Sequence, residues 1–169
     1  MLAFIKIVDN INEFIGKWVS WLTTILVIFV CFDVFRRYLL KDSAAWIMEM
    51  EWHLFALIFL FGAGYALKHH RHVRVDLFYE KFTNRDKAWV NLIGSLLFLI
   101  PWCCMIIYVS FDYAMNAYQI NEGSPDPGGL PYRFIIKFSI TFGFILLLLQ
   151  AIALFFRSYL TITGKNEEL

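Results

Sequence analysis

Four long apolar runs, each free of Asp, Glu, Lys and Arg, dominate the pattern of the chain. They cover residues 18–32, 52–67, 88–111 and 138–156. A helix needs about 20 residues to cross the hydrocarbon core of a bilayer, and long side chains at its ends reach toward water. None of the runs alternates apolar and polar residues as a barrel strand does. We therefore predict an all-α membrane protein with transmembrane helices at about residues 14–35, 45–67, 88–111 and 135–156.

The start of the chain has a different, amphipathic pattern. Apolar residues recur at helical spacing at positions 1, 4, 5, 8 and 11, and the opposite face carries Lys6, Asp9, Asn10 and Glu13. Such a helix lies in the membrane interface rather than crossing it. We predict that residues 1–14 form this interfacial helix and that residues 15–169 form the four-helix transmembrane domain. No small-residue cleavage site follows the first apolar run, so we expect this start to belong to the mature protein.

The composition supports membrane insertion. Of the 169 residues, 60% are hydrophobic and 17% are charged, with a mean hydropathy of +0.61. Soluble domains carry about 45–50% apolar and about 25% charged residues. The net charge of +1 provides no basic surplus, which argues against nucleic acid as a partner. Cys31, Cys103 and Cys104 lie in apolar runs without a CxxC spacing, which favours packing over redox chemistry or metal binding.

The distribution of basic residues predicts the orientation of the bundle. The side that holds both termini and the second loop carries ten of the 15 Lys and Arg residues, and the opposite side carries the other five. By the positive-inside rule both termini are cytoplasmic, and the loop around Asp126 faces outward. In the second loop, we predict that His72, Arg74 and Asp76 belong to a basic cytoplasmic collar in contact with anionic membrane lipids.

Charged residues cluster where the first helix ends and the second begins. This predicted charge belt consists of Asp33, Arg36, Arg37, Trp46, Glu49, Glu51 and His53. Asp33 precedes the two arginines by three and four residues, so it can pair with them on one helical face. The belt is interpreted as an ion-pair lock or a contact with a partner subunit. The alternative is a proton or cation relay through Glu49 or Glu51, as in a small stand-alone exporter.

A second alternative is a membrane anchor that carries haem. His53 is the one histidine within a predicted span, whereas His69, His70 and His72 lie at the opposite membrane face. A haem between them would have to cross most of the bilayer, so this hypothesis is disfavoured. The sequence lacks a GxSxG or HExxH motif. We therefore predict that the protein is not an enzyme and needs no cofactor or metal.

The segment EGSPDPGGLPYR, residues 122–133, holds three prolines and three glycines. Such a composition predicts a tightly turned loop of defined shape rather than a plain linker. A defined loop at the outer surface is suited to docking another protein. The candidate docking residues are Glu122, Asp126, Gly128, Gly129, Pro131 and Arg133.

Two stretches resemble a known family. RRYLLKDSAAWIMEMEWHLFALIFLFGAGYALKHHRHVRVDLFY and EGSPDPGGLPYRFIIKFSITFGFILLLLQAIA resemble the two halves of the small membrane subunit of tripartite ATP-independent periplasmic (TRAP) transporters. The likeness covers about residues 32–156 and is greatest to the mannitol/chloroaromatic-compound branch. Ser139 to Thr141 depart from the family pattern, in which a proline precedes the glycine of the fourth helix.

The resemblance implies a non-catalytic scaffold in the bacterial inner membrane. Its partners would be a large elevator-type membrane subunit, in a one-to-one complex, and a periplasmic binding protein that delivers an organic acid. A sodium gradient is the usual energy source, and in this family the substrate and sodium sites belong to the large subunit. The residues agree with that division, because this chain has no inverted repeat and no helix broken at mid-membrane.

Overall fold

The computed structural model describes residues 1–69 and 82–164 and contains four long helices. These are α1 (Leu2–Phe35), α2 (Ala45–Lys68), α3 (Asn84–Gly94 and Ile100–Gln119) and α4 (Phe134–Ile162). Each is long and apolar enough to cross a membrane, and each contains one of the four predicted spans. The prediction of an all-α membrane protein with four spans is confirmed. The predicted collar residues His72, Arg74 and Asp76 lie outside the described residues.

Helix α4 is the centre of the bundle. In its most apolar stretch 44% of the residues are buried, against 11–17% in the other three helices, and it packs against each of them. Small residues allow this close packing in lipid. A Cβ atom at Gly143 would lie 2.9 Å from the Cβ of Leu60, so α2 and α4 touch almost backbone to backbone. Cys103 is fully buried beside Leu147 and Ala151, which confirms its predicted packing role.

Helix α1 runs without a break from Leu2 to Phe35. Its 34 residues span about 51 Å at 1.5 Å per residue, well beyond the roughly 30 Å of a hydrocarbon core. Ile5 and Val8, near its start, pack against Ala153 and Leu160 of α4. Residues 1–14 therefore continue the first membrane helix and contact the bundle. Their position in the membrane interface stays a prediction.

Two wide, π-type turns interrupt the regular helices. The first, Arg36–Leu40, extends α1 and ends at Lys41, whose φ of 52° is left-handed. The second, Ser95–Leu99, joins the two parts of α3 directly before Pro101. Proline has no N–H to donate, and its ring clashes with the carbonyl four residues earlier in a regular helix. Widening of the helix before Pro101 relieves this clash, so α3 stays continuous.

Candidate functional site

Glu49 lies in the second turn of α2 and is 4% exposed. Its carboxylate accepts hydrogen bonds from the Ser124 hydroxyl and from the backbone N–H of Leu130, the latter at 2.5 Å. The guanidinium of Arg133 lies 3.6 Å from the same carboxylate. All three partners belong to the loop between α3 and α4, residues 120–133, which we call the loop 120–133. Glu49 is therefore an anchor for this loop and makes no hydrogen bond to α1.

The loop 120–133 is closed by its own backbone. The Arg133 N–H donates to the Glu122 carbonyl at 2.9 Å, and the Ser124 N–H donates to the Leu130 carbonyl at 3.1 Å. Within this frame, the Gly129 N–H donates to the Asp126 carbonyl at 3.0 Å. These bonds give the loop the defined shape that its prolines and glycines predict. Pro131 lies between the two closing pairs.

Gly128 and Gly129 are adjacent but are needed for different reasons. Gly128 has a φ of +75°, a left-handed conformation that glycine adopts at little cost. At Gly129 the constraint is space, since a Cβ atom would lie 2.8 Å from Oε2 of Glu49 and closer still to the Ser124 side chain. The second glycine is what allows the loop to approach the buried carboxylate.

Two basic residues at the start of α4 fix the far side of the loop. The guanidinium of Arg133 lies 5.8 Å from the centre of the Trp52 ring, within the range of a cation–π contact. Lys137 pairs with Glu122 at 2.5 Å and lies 3.8 Å from the centre of the Tyr113 ring. The loop is thus bound to α2, α3 and α4 together.

The α1 part of the charge belt forms a separate group. Asp33 is buried and pairs with Arg37 one turn later, as the spacing predicts. Arg36 pairs instead with Asp42, beyond the end of α1. Glu51 of α2 interacts electrostatically with Asp33 and Arg37. The Asp33 carboxylate repels that of Glu51 and Arg37 attracts it, but among the described residues no ion pair of this group joins α1 to α2. The interpretation as an interhelical lock stays a prediction.

Two buried oxygens in this group have no hydrogen-bond partner among residues 1–69 and 82–164: Oδ1 of Asp33 and Oε1 of Glu51. His53 lies beside Glu49 and interacts with it electrostatically, but within the described residues it forms no ion pair with the belt. Its Nδ1 lies 2.5 Å from the Glu49 carbonyl oxygen of its own helix, and its ring lies 3.8 Å from that of Trp52. Trp46 is exposed at the first turn of α2.

A groove of about 910 Å³ separates these two groups, and we call it the loop-end groove. Its walls come from α1, α2 and the loop 120–133. The charged residues that line it are Arg37, Glu49, Glu51, Asp126 and Arg133. Apolar residues line the rest: Leu26, Val30, Met48, Trp52 and Phe55. Within residues 1–69 and 82–164, no three His, Cys, Asp or Glu side chains are grouped so as to hold a metal ion.

A second polar cluster lies at the opposite end of the bundle and was not predicted. The amide of Asn12 donates to Oε1 of Gln150 at 2.9 Å. The Gln150 amide and the Arg157 guanidinium both donate to the Asp9 carboxylate, at 3.0 and 2.5 Å. We call these four residues the inner network. Glu13 adds a link from α1 to Lys68 of α2 at 2.7 Å. A single Gln within the fourth apolar run was the signal for this network in the sequence.

Four apolar helices held together by polar contacts at both ends define a multi-pass α-helical membrane protein. The family model described as "Tripartite ATP-independent periplasmic transporters, DctQ component" matches residues 26–161. The chain belongs to this family, which confirms the resemblance and indicates a location in the bacterial inner membrane. The assignment to the mannitol/chloroaromatic-compound branch stays a prediction.

Two curated relatives come from Vibrio cholerae serotype O1. The chain is 32% identical over 91 residues to its sialic acid TRAP transporter small permease protein, over 54% of this chain and 50% of the relative. It is 33% identical over 69 residues to the C4-dicarboxylate TRAP transporter small permease protein, over 41% of this chain and 28% of the relative. The alignments thus span half or less of either relative. Both relatives are named as permease subunits rather than enzymes. No solved structure matches the chain.

Proposed function

We propose that this protein is the scaffold subunit of a secondary transporter that depends on a periplasmic binding protein and imports an organic acid. The observation that carries the proposal is the family match across residues 26–161, which includes every predicted span in whole or in part. The relatives are named for sialic acid and C4-dicarboxylates, and both substrates are carboxylates. Sodium coupling is the energy source that the family resemblance implies.

The geometry of the bundle supports a rigid scaffold subunit rather than a subunit that contains the transport pathway. Transporters of this class bind substrate and ions at helices that are broken near mid-membrane. Here α1, α2 and α4 run unbroken, and the wide turn in α3 leaves that helix continuous. The buried carboxylate of Glu49 pairs with Arg133 and joins α2 to the loop, and that of Asp33 pairs with Arg37 one turn later, so both are paired within this chain. We propose that this rigid bundle holds a large membrane subunit in a one-to-one complex.

The periplasmic binding protein would dock near the loop 120–133. Both termini would then be cytoplasmic, as the distribution of basic residues predicts. Asp126 is exposed on this loop, whereas Glu122 is held by Lys137. The closed backbone of the loop supports this role, because a preorganised surface loses little conformational entropy when a partner binds. On the cytoplasmic side, we propose that the collar and the first turns of α1 contact membrane lipids.

Co-purification followed by uptake tests the proposal. The chain is co-expressed with the large TRAP membrane subunit of the same organism, purified in detergent and reconstituted in liposomes with a sodium gradient. We expect a one-to-one complex whose uptake of a carboxylate needs the binding protein and both membrane subunits. Full uptake without this chain would refute the scaffold role. Proton-coupled efflux by this chain alone, lost in Glu49→Gln or Glu51→Gln, would establish the exporter instead. A haem absorption band in the purified chain would establish the haem-bearing membrane anchor instead.

A further inference from the structure

We propose that the loop-end groove receives a basic side chain of the large membrane subunit, and that Glu51 is the counter-charge for it. The inference rests on the proposed function and specifies where and by what chemistry the two membrane subunits meet. It is carried by the charge balance of the groove, by two buried oxygens without partners, and by the depth that the groove reaches.

The charges around the groove do not cancel. Arg37 pairs with Asp33, and Arg133 pairs with Glu49. Glu51 and Asp126 also line the groove, and the ion pairs formed within the described parts of the chain include neither of them. The lining holds three carboxylates against two guanidinium groups, a net charge of −1, and the buried Asp33 that pairs with Arg37 brings the total to −2. A group of positive charge is therefore what complements this groove.

The excess negative charge is unfavourable near Glu51 because the carboxylate oxygens there are buried. Oδ1 of Asp33 and Oε1 of Glu51 are both buried, and neither accepts a hydrogen bond from the part of the chain that the structure describes. Arg37 is the one cation near the carboxylates of Asp33 and Glu51 in the described structure, and its guanidinium donates a hydrogen bond to Oδ2 of Asp33. Charges near the membrane core are stable when they are paired. Because Glu51 also lines the groove, a cation within it would lie beside the carboxylate that lacks a partner.

The depth of the groove identifies the occupant. Its lining extends along α1 to Leu26, in the middle of the first apolar run, and along α2 to Phe55, one helical turn into the second. A water-soluble binding protein cannot reach this depth, whereas a neighbouring membrane helix can. Lys and Arg bury a long apolar stem while the charged end remains near polar groups. Such a side chain matches a groove that is lined by both apolar side chains and carboxylates.

The test compares two changes at Glu51 with a matched change elsewhere. Glu51→Lys, Glu51→Gln and Asp112→Lys are each co-expressed with the tagged large subunit, and the co-purified fraction of this chain is measured. Asp112 is an exposed acid on α3 and is the control for charge reversal. We expect Glu51→Lys to lower the fraction about tenfold or more and Glu51→Gln to lower it several-fold. Asp112→Lys should leave it unchanged. Monodisperse elution of each variant expressed alone shows that the bundle still folds.

Photocrosslinking gives an independent readout in the unaltered charge background. A benzoylphenylalanine at Met48, which lines the groove, should crosslink to the large subunit. If the wild-type complex forms but both Glu51 variants associate normally, the inference is wrong and the proposed function stands. If the wild-type chain does not associate with the large subunit, the proposed function itself fails. Crosslinks to an aminophospholipid alone, with Glu51→Lys losing that lipid and keeping the subunit, would make the groove a lipid site and overturn the inference.

Discussion

Replacement of Glu49 is expected to open the loop 120–133 while the four helices stay folded. The Glu49 carboxylate accepts from Ser124 and Leu130 and pairs with Arg133, so Glu49→Ala removes three interactions between the loop and α2. Glu49→Gln is the finer probe, because the amide oxygen still accepts one of these hydrogen bonds while the charge is lost.

The expected loss of free energy on replacement of Glu49 lies between the values for a buried and for an exposed ion pair. Removing one member of a buried ion pair costs about 3–5 kcal/mol, whereas an exposed pair contributes about 0–1 kcal/mol. Glu49 is 4% exposed, but the Arg133 side chain is 25% exposed and can be rehydrated. We therefore expect Glu49→Ala to lower the free energy of loop opening by about 2–4 kcal/mol, which is roughly 30- to 700-fold in the opening equilibrium. For Glu49→Gln we expect about 1 kcal/mol, roughly fivefold, since a charge-assisted hydrogen bond becomes neutral.

Hydrogen–deuterium exchange in lipid nanodiscs measures this opening directly. The amides of Ser124, Leu130 and Arg133 are hydrogen-bonded in the closed loop and should exchange faster in the order wild type, Glu49→Gln, Glu49→Ala. Glu51→Ala is the control, because Glu51 makes no hydrogen bond to the loop in the described structure. Exchange in Glu49→Ala within threefold of the wild-type rate would show that the backbone bonds alone hold the loop, and would refute the anchoring role of Glu49.

The remaining predictions concern the loop, the inner network and the topology. Gly129→Ala should accelerate loop exchange with a cost of about 1–3 kcal/mol by overpacking, while Gly123→Ala, which meets no atom within 4 Å, should not. Gln150→Leu should lower the free energy of unfolding by about 1–3 kcal/mol, measured by thermal denaturation, because it leaves buried partners on α1 without hydrogen bonds. A cysteine at Asp126 should react with an impermeant thiol reagent on intact cells and one at Thr163 should not; the reverse pattern would invert the proposed topology.

The sequence predicts the helices well because their signal is local. An apolar run of about 20 residues leaves few alternatives in a membrane, since every backbone polar group must be satisfied within the segment. The Asp33–Arg37 pair is local in the same sense, because its two residues are one helical turn apart. Such features depend on spacing alone.

The contacts of Glu49 were beyond prediction because they are long-range. Its partners Ser124 and Leu130 are 75 and 81 residues away, and no spacing rule connects them. The predicted charge belt divides into a loop anchor at Glu49 and a separate group around Asp33, and its role as a subunit contact stays a prediction. In the inner network, Asn12 and Gln150 are 138 residues apart. Polar residues within apolar runs indicate that partners exist, but only the packing of the helices shows which partners they are.

The central position of α4 has a consequence for biosynthesis. Helices enter the membrane in chain order, so α1, α2 and α3 are inserted before α4 has left the ribosome. Until then Asp9 and Asn12 lack Gln150 and Arg157, and Glu49 lacks Arg133. Until α4 inserts, the first three helices therefore lie in the lipid with unpaired polar side chains. Membrane proteases and insertion chaperones can recognise such unpaired groups. The last helix to be synthesised completes the bundle. A chain truncated before α4 therefore leaves the polar groups of the other helices without their partners.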